Sequence, residues 1–115
     1  MSRSEKLRAG DLIEAVTIQD QVTASNAFGE ITITWEDFAN RRCDVRDFTT
    51  GEQMRAQGPY AVASHEVTFR YVPGIKPSMR LVWNSRTPNR ILDIVSISDR
   101  DYQRYHTVIA KEHAP

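Results

Sequence analysis

Residues 65–83, HEVTFRYVPGIKPSMRLVW, constrain this chain more than any other stretch. Val67, Phe69 and Tyr71 alternate with Glu66, Thr68 and Arg70. Apolar β-branched and aromatic residues recurring with a period of two are the signature of a half-buried strand. Pro73-Gly74 then breaks the ladder, because proline lacks an N–H and glycine admits positive φ. Pro77 keeps the connection extended, since the residue preceding a proline is pushed out of the helical region. Met79, Leu81 and Trp83 restart the alternation. This pattern predicts two antiparallel strands joined by a stiffened loop, with the rest of the chain wrapped around the pair.

The flanking sequence repeats the theme. Residues 1–11 are polar and charged and read as a flexible arm or a short helical turn. Leu12–Gln21 predicts a first strand, with Val16 and Ile18 alternating against Thr17 and Gln19. Ser25-Asn26 and Phe28-Gly29 carry turn chemistry. Ile31, Ile33 and Trp35 against Thr32, Thr34 and Glu36 then close a hairpin. Phe38–Arg46 continues as a more polar strand, in which Cys43 and Val45 share a face. Beyond the turn at 84–89, Arg90–Ser98 alternates less cleanly, and Tyr105–Lys111 is the last strand. Short strands separated by turns point to a mainly β fold, a small antiparallel barrel or sandwich. The expected core is Val16, Ile18, Ile31, Ile33, Trp35, Val67, Phe69, Tyr71, Leu81 and Trp83.

Residues 46–64 interrupt this regularity as a long loop. Thr49 with Glu52 three positions later is a capping-box pattern that starts a helix. Gly58-Pro59 ends it after one or two turns. With Met54 as its one large apolar residue, so short a helix is marginal by itself.

The 115 residues make one domain, 1–115, large enough to bury roughly two thirds of its unfolded surface. No apolar run reaches the ~18 residues of a spanning helix, and no apolar stretch follows the basic start as in a signal peptide. A soluble protein without membrane contact is expected. Fifteen basic residues balance fifteen acidic ones, whereas a dedicated duplex-DNA binder carries a basic excess.

No catalytic constellation emerges, so no enzyme is expected. His65, His106 and His113 have no metal-ligand spacing and read as surface or strand-end residues. Cys43 has no partner thiol and reads as an inert core residue. Asp99 and Asp101 read as solvated turn formers, and the Arg41-Arg42 and Arg86/Arg90 spots as solvated or interface charge. No cofactor or metal is implied.

With these segments placed, the sequence resembles the head-tail joining family of long-tailed bacteriophages, the head-closure or stopper proteins. The residues that carry the resemblance are Val16–Gln19, the AFGE hairpin from Ala27 to Trp35, Thr50-Gly51-Glu52-Gln53, the strand His65–Tyr71, the Pro73–Pro77 loop and Met79–Trp83. The resemblance covers about residues 7–112. In similar sequences the excursion carries a longer helix, whereas Gly58-Pro59 interrupts it here.

The resemblance implies a virion protein of the head-tail interface, assembled in a bacterial cytoplasm. Its expected partners are further copies in a homo-oligomeric ring, twelvefold by resemblance, with portal and adaptor above and tail terminator or tail proteins below. Packaged double-stranded DNA would run through the channel without sequence-specific binding. The ring would close the channel after packaging and present the tail's docking surface. Thr49, Thr50, Gly51, Glu52, Gln53, Met54, Arg55, Gly58 and Pro59 would then face the channel and gate it. The alternatives are a related connector or tail-completion protein and, in a different class, a small barrel that binds nucleic acid. The last would need exposed aromatics interleaved with Lys or Arg on one face.

Overall fold

The computed structural model describes residues 12–48, 63–85, 88–100 and 104–113. The expected N-terminal arm and the helix of the excursion lie outside these residues. Among the described residues every regular element is a strand: β1 (Glu14–Ser25), β2 (Ile31–Asp47), β3 (His65–Arg70), β4 (Arg80–Trp83), β5 (Arg90–Arg100) and β6 (Tyr105–Glu112). They form a closed barrel in the order β1-β2-β3-β6-β5-β4, and every neighbouring pair is antiparallel. The two stretches read as separate strands at 31–36 and 38–46 are one continuous strand of 17 residues.

The pairing departs from expectation at the most constraining stretch. β3 pairs with β2 and β6, while β4 pairs with β1 and β5. The two segments of 65–83 are therefore opposite walls of the barrel rather than a hairpin. Their connection crosses the barrel end and caps it from within. Val72 and Met79 are buried there, and Ile75 packs against the same cluster. Gly74 adopts φ +84, a left-handed conformation that favours glycine, and a Cβ there would lie 3.3 Å from Phe38 Cζ. The proline-rich loop is thus an interior lid, and its stiffness holds two apolar side chains in place.

The interior takes one side of each strand. Val16 and Ile18 of β1 face Leu81 and Trp83 of β4, and Cys43 of β2 faces Phe69 of β3. Val67, Leu92, Val108 and Ala110 complete the buried cluster. The imperfect alternation of β5 has a local cause. A bulge between Ile94 and Ser96 leaves Val95 without an opposite residue, so the inward set changes phase.

A second bulge, between Ile18 and Gln19, corrects the expected core. Ile18 pairs with Ala39 but Gln19 pairs with Asp37, so Phe38 is the extra residue. Beyond it, Trp35, Ile33 and Ile31 stand opposite Gln21, Thr23 and Ser25. These β1 positions belong to the face opposite that of Val16 and Ile18. The pairing of β1 with β4 also ends at Gln19–Arg80, so both strands leave the barrel here as a two-stranded arm. Ile31 and Ile33 are consequently 74% and 51% exposed, and Trp35 is half-buried under Arg80, 4.2 Å from its ring centroid. Tyr71 is half-buried at the barrel end, where its ring meets His106. The other expected core residues, Val16, Ile18, Val67, Phe69, Leu81 and Trp83, are buried. The arm explains why the molecule measures 57 × 30 × 30 Å.

Phe69→Ala is expected to cost about 3–5 kcal/mol, because it empties the closed interior. Ile31→Ala, outside the barrel, should stay within about 0.5 kcal/mol of the parent. Denaturant unfolding of the two variants measures both values, and equal losses would contradict the assignment of Ile31 to a projecting arm.

Candidate functional site

Antiparallel pairing around a closed barrel sorts the connections into two poles. One holds the arm, the 71–79 crossover, the end of β5 and the start of β6. The other holds the two stems of the excursion, Phe48 and Ala63-Ser64, together with Asn84, Ser85 and His113. The candidate gating residues Thr49, Thr50, Gly51, Glu52, Gln53, Met54, Arg55, Gly58 and Pro59 all lie outside the described residues. Their anchorage can nevertheless be followed in the stems.

The stems are tied together directly. Phe48 N–H donates to the Ser64 carbonyl at 2.9 Å, and Ser64 N–H donates to Ala110 of β6 at 2.9 Å. Arg46 lies over the Phe48 ring at 5.1 Å and pairs with Glu66 at 3.5 Å. His65 is buried at this pole beside Trp83, with ring centroids 5.7 Å apart. Its Nε2 meets Asp47 Oδ1 at 3.0 Å, and its Nδ1 meets Ser64 Oγ at 2.7 Å. Glu112 N–H donates to the same hydroxyl at 2.8 Å. Arg90 clamps the Glu112 carboxylate with two hydrogen bonds and covers the Trp83 ring at 4.7 Å. That bidentate bond is the main reason the Glu112 carboxyl sits below its ordinary range. The collar joins β2, β3, β5 and β6 at the root of the excursion.

The other pole is closed in the same manner. His106 is buried against Phe69 and Tyr71. Its Nε2 meets Asp99 Oδ1 at 3.1 Å, and its Nδ1 accepts the Val72 N–H of the crossover at 3.3 Å. Both histidines therefore sit inside the barrel at its two mouths, each bonded to a rim aspartate. His65 and His106 thus stand at strand ends, as one half of their reading had it, but buried, which corrects the surface half; among the three histidines only His113, paired with Asp93 at 2.9 Å, is exposed. The signal was available in part, since His65 and His106 occupy inward positions of β3 and β6. Their partners, Asp47 and Asp99, could not be assigned without the pairing.

Burial holds both imidazoles below the ordinary histidine range, although Asp47 and Asp99 pull the other way. Each is accordingly neutral at pH 7, with Nε2–H donating to aspartate and Nδ1 accepting. The order Ser64–His65–Asp47 contains the residue types of a nucleophilic triad. Here, however, the serine hydroxyl is engaged by His65 Nδ1 and by the Glu112 N–H, which binds β6 to β3. Cys43 is fully buried, and desolvation pushes its thiol up to about 12, so it is no nucleophile. No cluster of three or more metal-ligating side chains occurs among the described residues.

A depression of about 260 Å³ is lined by Ala15, Val16, Asn40, Arg41, Arg42 and Asn84. Among the described residues, the exposed aromatics lack the basic neighbours that a nucleic-acid platform uses. Phe28 and Phe38 are 88% and 41% exposed. They lie in a stretch, 19–38, that holds Asp20, Glu30, Glu36 and Asp37 and no Lys or Arg. No helix of the described residues is long and apolar enough to cross a membrane.

The class defined by these features is a small closed antiparallel barrel with a projecting arm at one pole and an anchored loop at the other. Residues 7–113 match the family model of the phage head completion protein, and the chain belongs to that family. Its members are structural proteins of the phage head, which sets this chain in the virion. The fold is similar to the solution structure of protein SF1141 from Shigella flexneri 2a, with a TM-score of 0.76 and 23% identity over 94% of this chain and 98% of that one. A chain in the virion of a native gene transfer agent particle is also similar, with a TM-score of 0.60 and 19% identity over 88% of this chain and 94% of that one. No curated protein matches the sequence.

Two outcomes follow from the buried groups. Because the folded-state values of His65 and His106 lie below the ordinary 6.5, their contribution to stability is complete above that pH. It is lost as the pH falls from 6.5 towards the folded values, because the unfolded chain takes up protons first. Thermal unfolding between pH 8 and 5 should show Tm falling below about pH 6.5. His106→Gln, which can still accept from Val72, should flatten that fall in part. Separately, Cys43 in the folded protein should resist thiol reagents at pH 8 and react only on denaturation.

Proposed function

We propose that this chain is the subunit of a ring beneath the portal and adaptor. The ring closes the DNA channel once the head is filled and offers the tail its docking surface. Family membership over residues 7–113 carries the head assignment. The finer role is supported by the collar at Asp47, Ser64, His65, Arg90 and Glu112, which fixes both ends of the excursion to the barrel. A plug in a pressurised channel needs a rigid base and a movable middle. Hydrogen-bonded stems on four strands give the base, and residues 49–62, whose sequence contains Gly51 and Gly58, would supply the middle.

The electrostatics suit a channel wall as well. A formal net charge of zero limits the phosphate attraction that would make DNA adhere to the ring. Barrel rigidity serves docking, because a ring assembled between two larger bodies must keep both of its faces in fixed relation. Rings of identical subunits are cyclic and use two different faces of each copy.

The test is a shortened excursion, with residues 49–62 replaced by a tight turn between Phe48 and Ala63. The barrel should fold and be incorporated at the head, while packaged DNA escapes before tails attach. Retention of DNA at the parental level by particles that carry the variant would assign closure to another element.

A further inference from the structure

Past Gln19–Arg80, β1 and β2 continue as the arm without a β4 neighbour. Among the described residues the two strands pair from Asp20 to Ser25 and from Ile31 to Glu36 only with each other, so both outer edges present backbone groups that no described strand pairs. It extends roughly 20 Å beyond the barrel at the usual rise per residue. Its one apolar stripe, Trp35, Ile33 and Ile31 running towards Phe28 at the tip, is exposed along nearly its whole length. An exposed two-stranded edge with an apolar face is a template for another chain, and solvated proteins avoid leaving one bare. The base of the arm is firmly set. Arg80 donates to Gln19 at 2.8 Å and Gln19 donates to Asp37 at 3.0 Å, with Arg80 lying over Trp35. The arm is held at a defined angle with its stripe outward.

Charge narrows the occupant. Four carboxylates and no cation between residues 19 and 38 exclude nucleic acid and anionic lipid, and call for a surface that is both cationic and apolar. The chain has such a surface near its opposite pole. Ile13 is 68% exposed, and Arg42 bonds to the Ile13 carbonyl at 3.4 Å. Arg41 bonds to the Asn40 carbonyl at 2.9 Å. Among the described residues these guanidiniums bond to backbone carbonyls and not to carboxylates, and they line the 260 Å³ depression. The nearby Glu14 carboxylate accepts from Trp83 Nε1 at 2.9 Å and from Ser85 Oγ at 2.9 Å.

We propose that the arm of one copy docks on the Ile13–Arg41–Arg42 surface of the next copy, and that this head-to-tail contact joins the ring. The inference rests on the ring reading given above. Its geometry forbids the intramolecular alternative. Residues 33 and 42 lie on one strand, nine positions and about 30 Å apart, so an arm cannot reach its own acceptor. Donor and acceptor are different faces, which is the condition for a heterologous contact that closes into a ring.

Paired cysteines test it. Ile33→Cys and Ile13→Cys are both exposed substitutions, and the native Cys43 is buried and unreactive. A chain carrying both, assembled into particles and mildly oxidised, should give a ladder of disulfide-linked copies on a non-reducing gel. Either substitution alone should give none. Arg41→Glu with Arg42→Glu should remove the ladder, and Glu30→Lys with Glu36→Lys added to that chain should restore it. Two results overturn the proposal while the ring reading stands: particles that hold the chain as a ring without the ladder, or Ile33→Cys linked instead to a different protein. Particles in which the chain forms no ring overturn both readings.

Discussion

Closure of the sheet is the constraint from which the rest of the molecule follows. Six strands of very unequal length form one barrel because β1 serves two partners: it lies along β2 for its full length and along β4 only at Val16–Gln19. The short β4 is therefore the seam. Its four residues alternate inward at Leu81 and Trp83, opposite Ile18 and Val16, and without them the interior would be open to solvent. Where the seam ends, at Arg80, a closed wall is no longer possible. β1 and β2 continue past it as a free ribbon. The Phe38 bulge lies at that level and turns the ribbon's apolar residues to the outer face.

The open ends of such a barrel must be filled, because a barrel of this size has room for side chains but not for a solvent channel. The two mouths are filled alike, by a neutral histidine that donates to an aspartate on the rim and accepts from a neighbouring donor. At one mouth the donor is the Val72 N–H, and the histidine so holds the crossover. At the other it is Ser64 Oγ, and the histidine holds the stem of the excursion. Imidazole suits both places because one ring meets an apolar interior with its faces and satisfies a donor and an acceptor with its edges. Aspartate or lysine in either position would bring a full charge inside.

These features bear on assembly through rigidity. The excursion and the arm leave opposite poles, and each is fixed at its base by side-chain hydrogen bonds to several strands. A barrel built in this way keeps the bases of the arm and of the excursion in constant relation. The balance of charge is uneven underneath: the arm is acidic and the body correspondingly basic, so a formal net charge of zero conceals a dipolar molecule. In the ring proposed above, that asymmetry would favour contact between unlike faces.

The sequence by itself determined the fold class and the inward faces of the barrel strands. Val16 and Ile18, Val67 and Phe69, and Leu81 and Trp83 all obey the period of two that a half-buried strand imposes. The order of segments also carried the family. What it could not determine is which strand lies beside which, because alternation records that one face is covered and not by what. Ile31, Ile33 and Trp35 alternate as cleanly as Val67 and Phe69, yet they stand in a ribbon with no sheet beside it. Only the bulge at Phe38 and the end of β4 decide their exposure. His65 and His106 are polar by composition and buried by topology, since Asp47 and Asp99 reach them only after the strands have paired. The Pro73–Pro77 loop was legible as a stiff connection. Tertiary structure decided that it spans the barrel mouth, because closure sets β3 and β4 on opposite walls and leaves their link no other path.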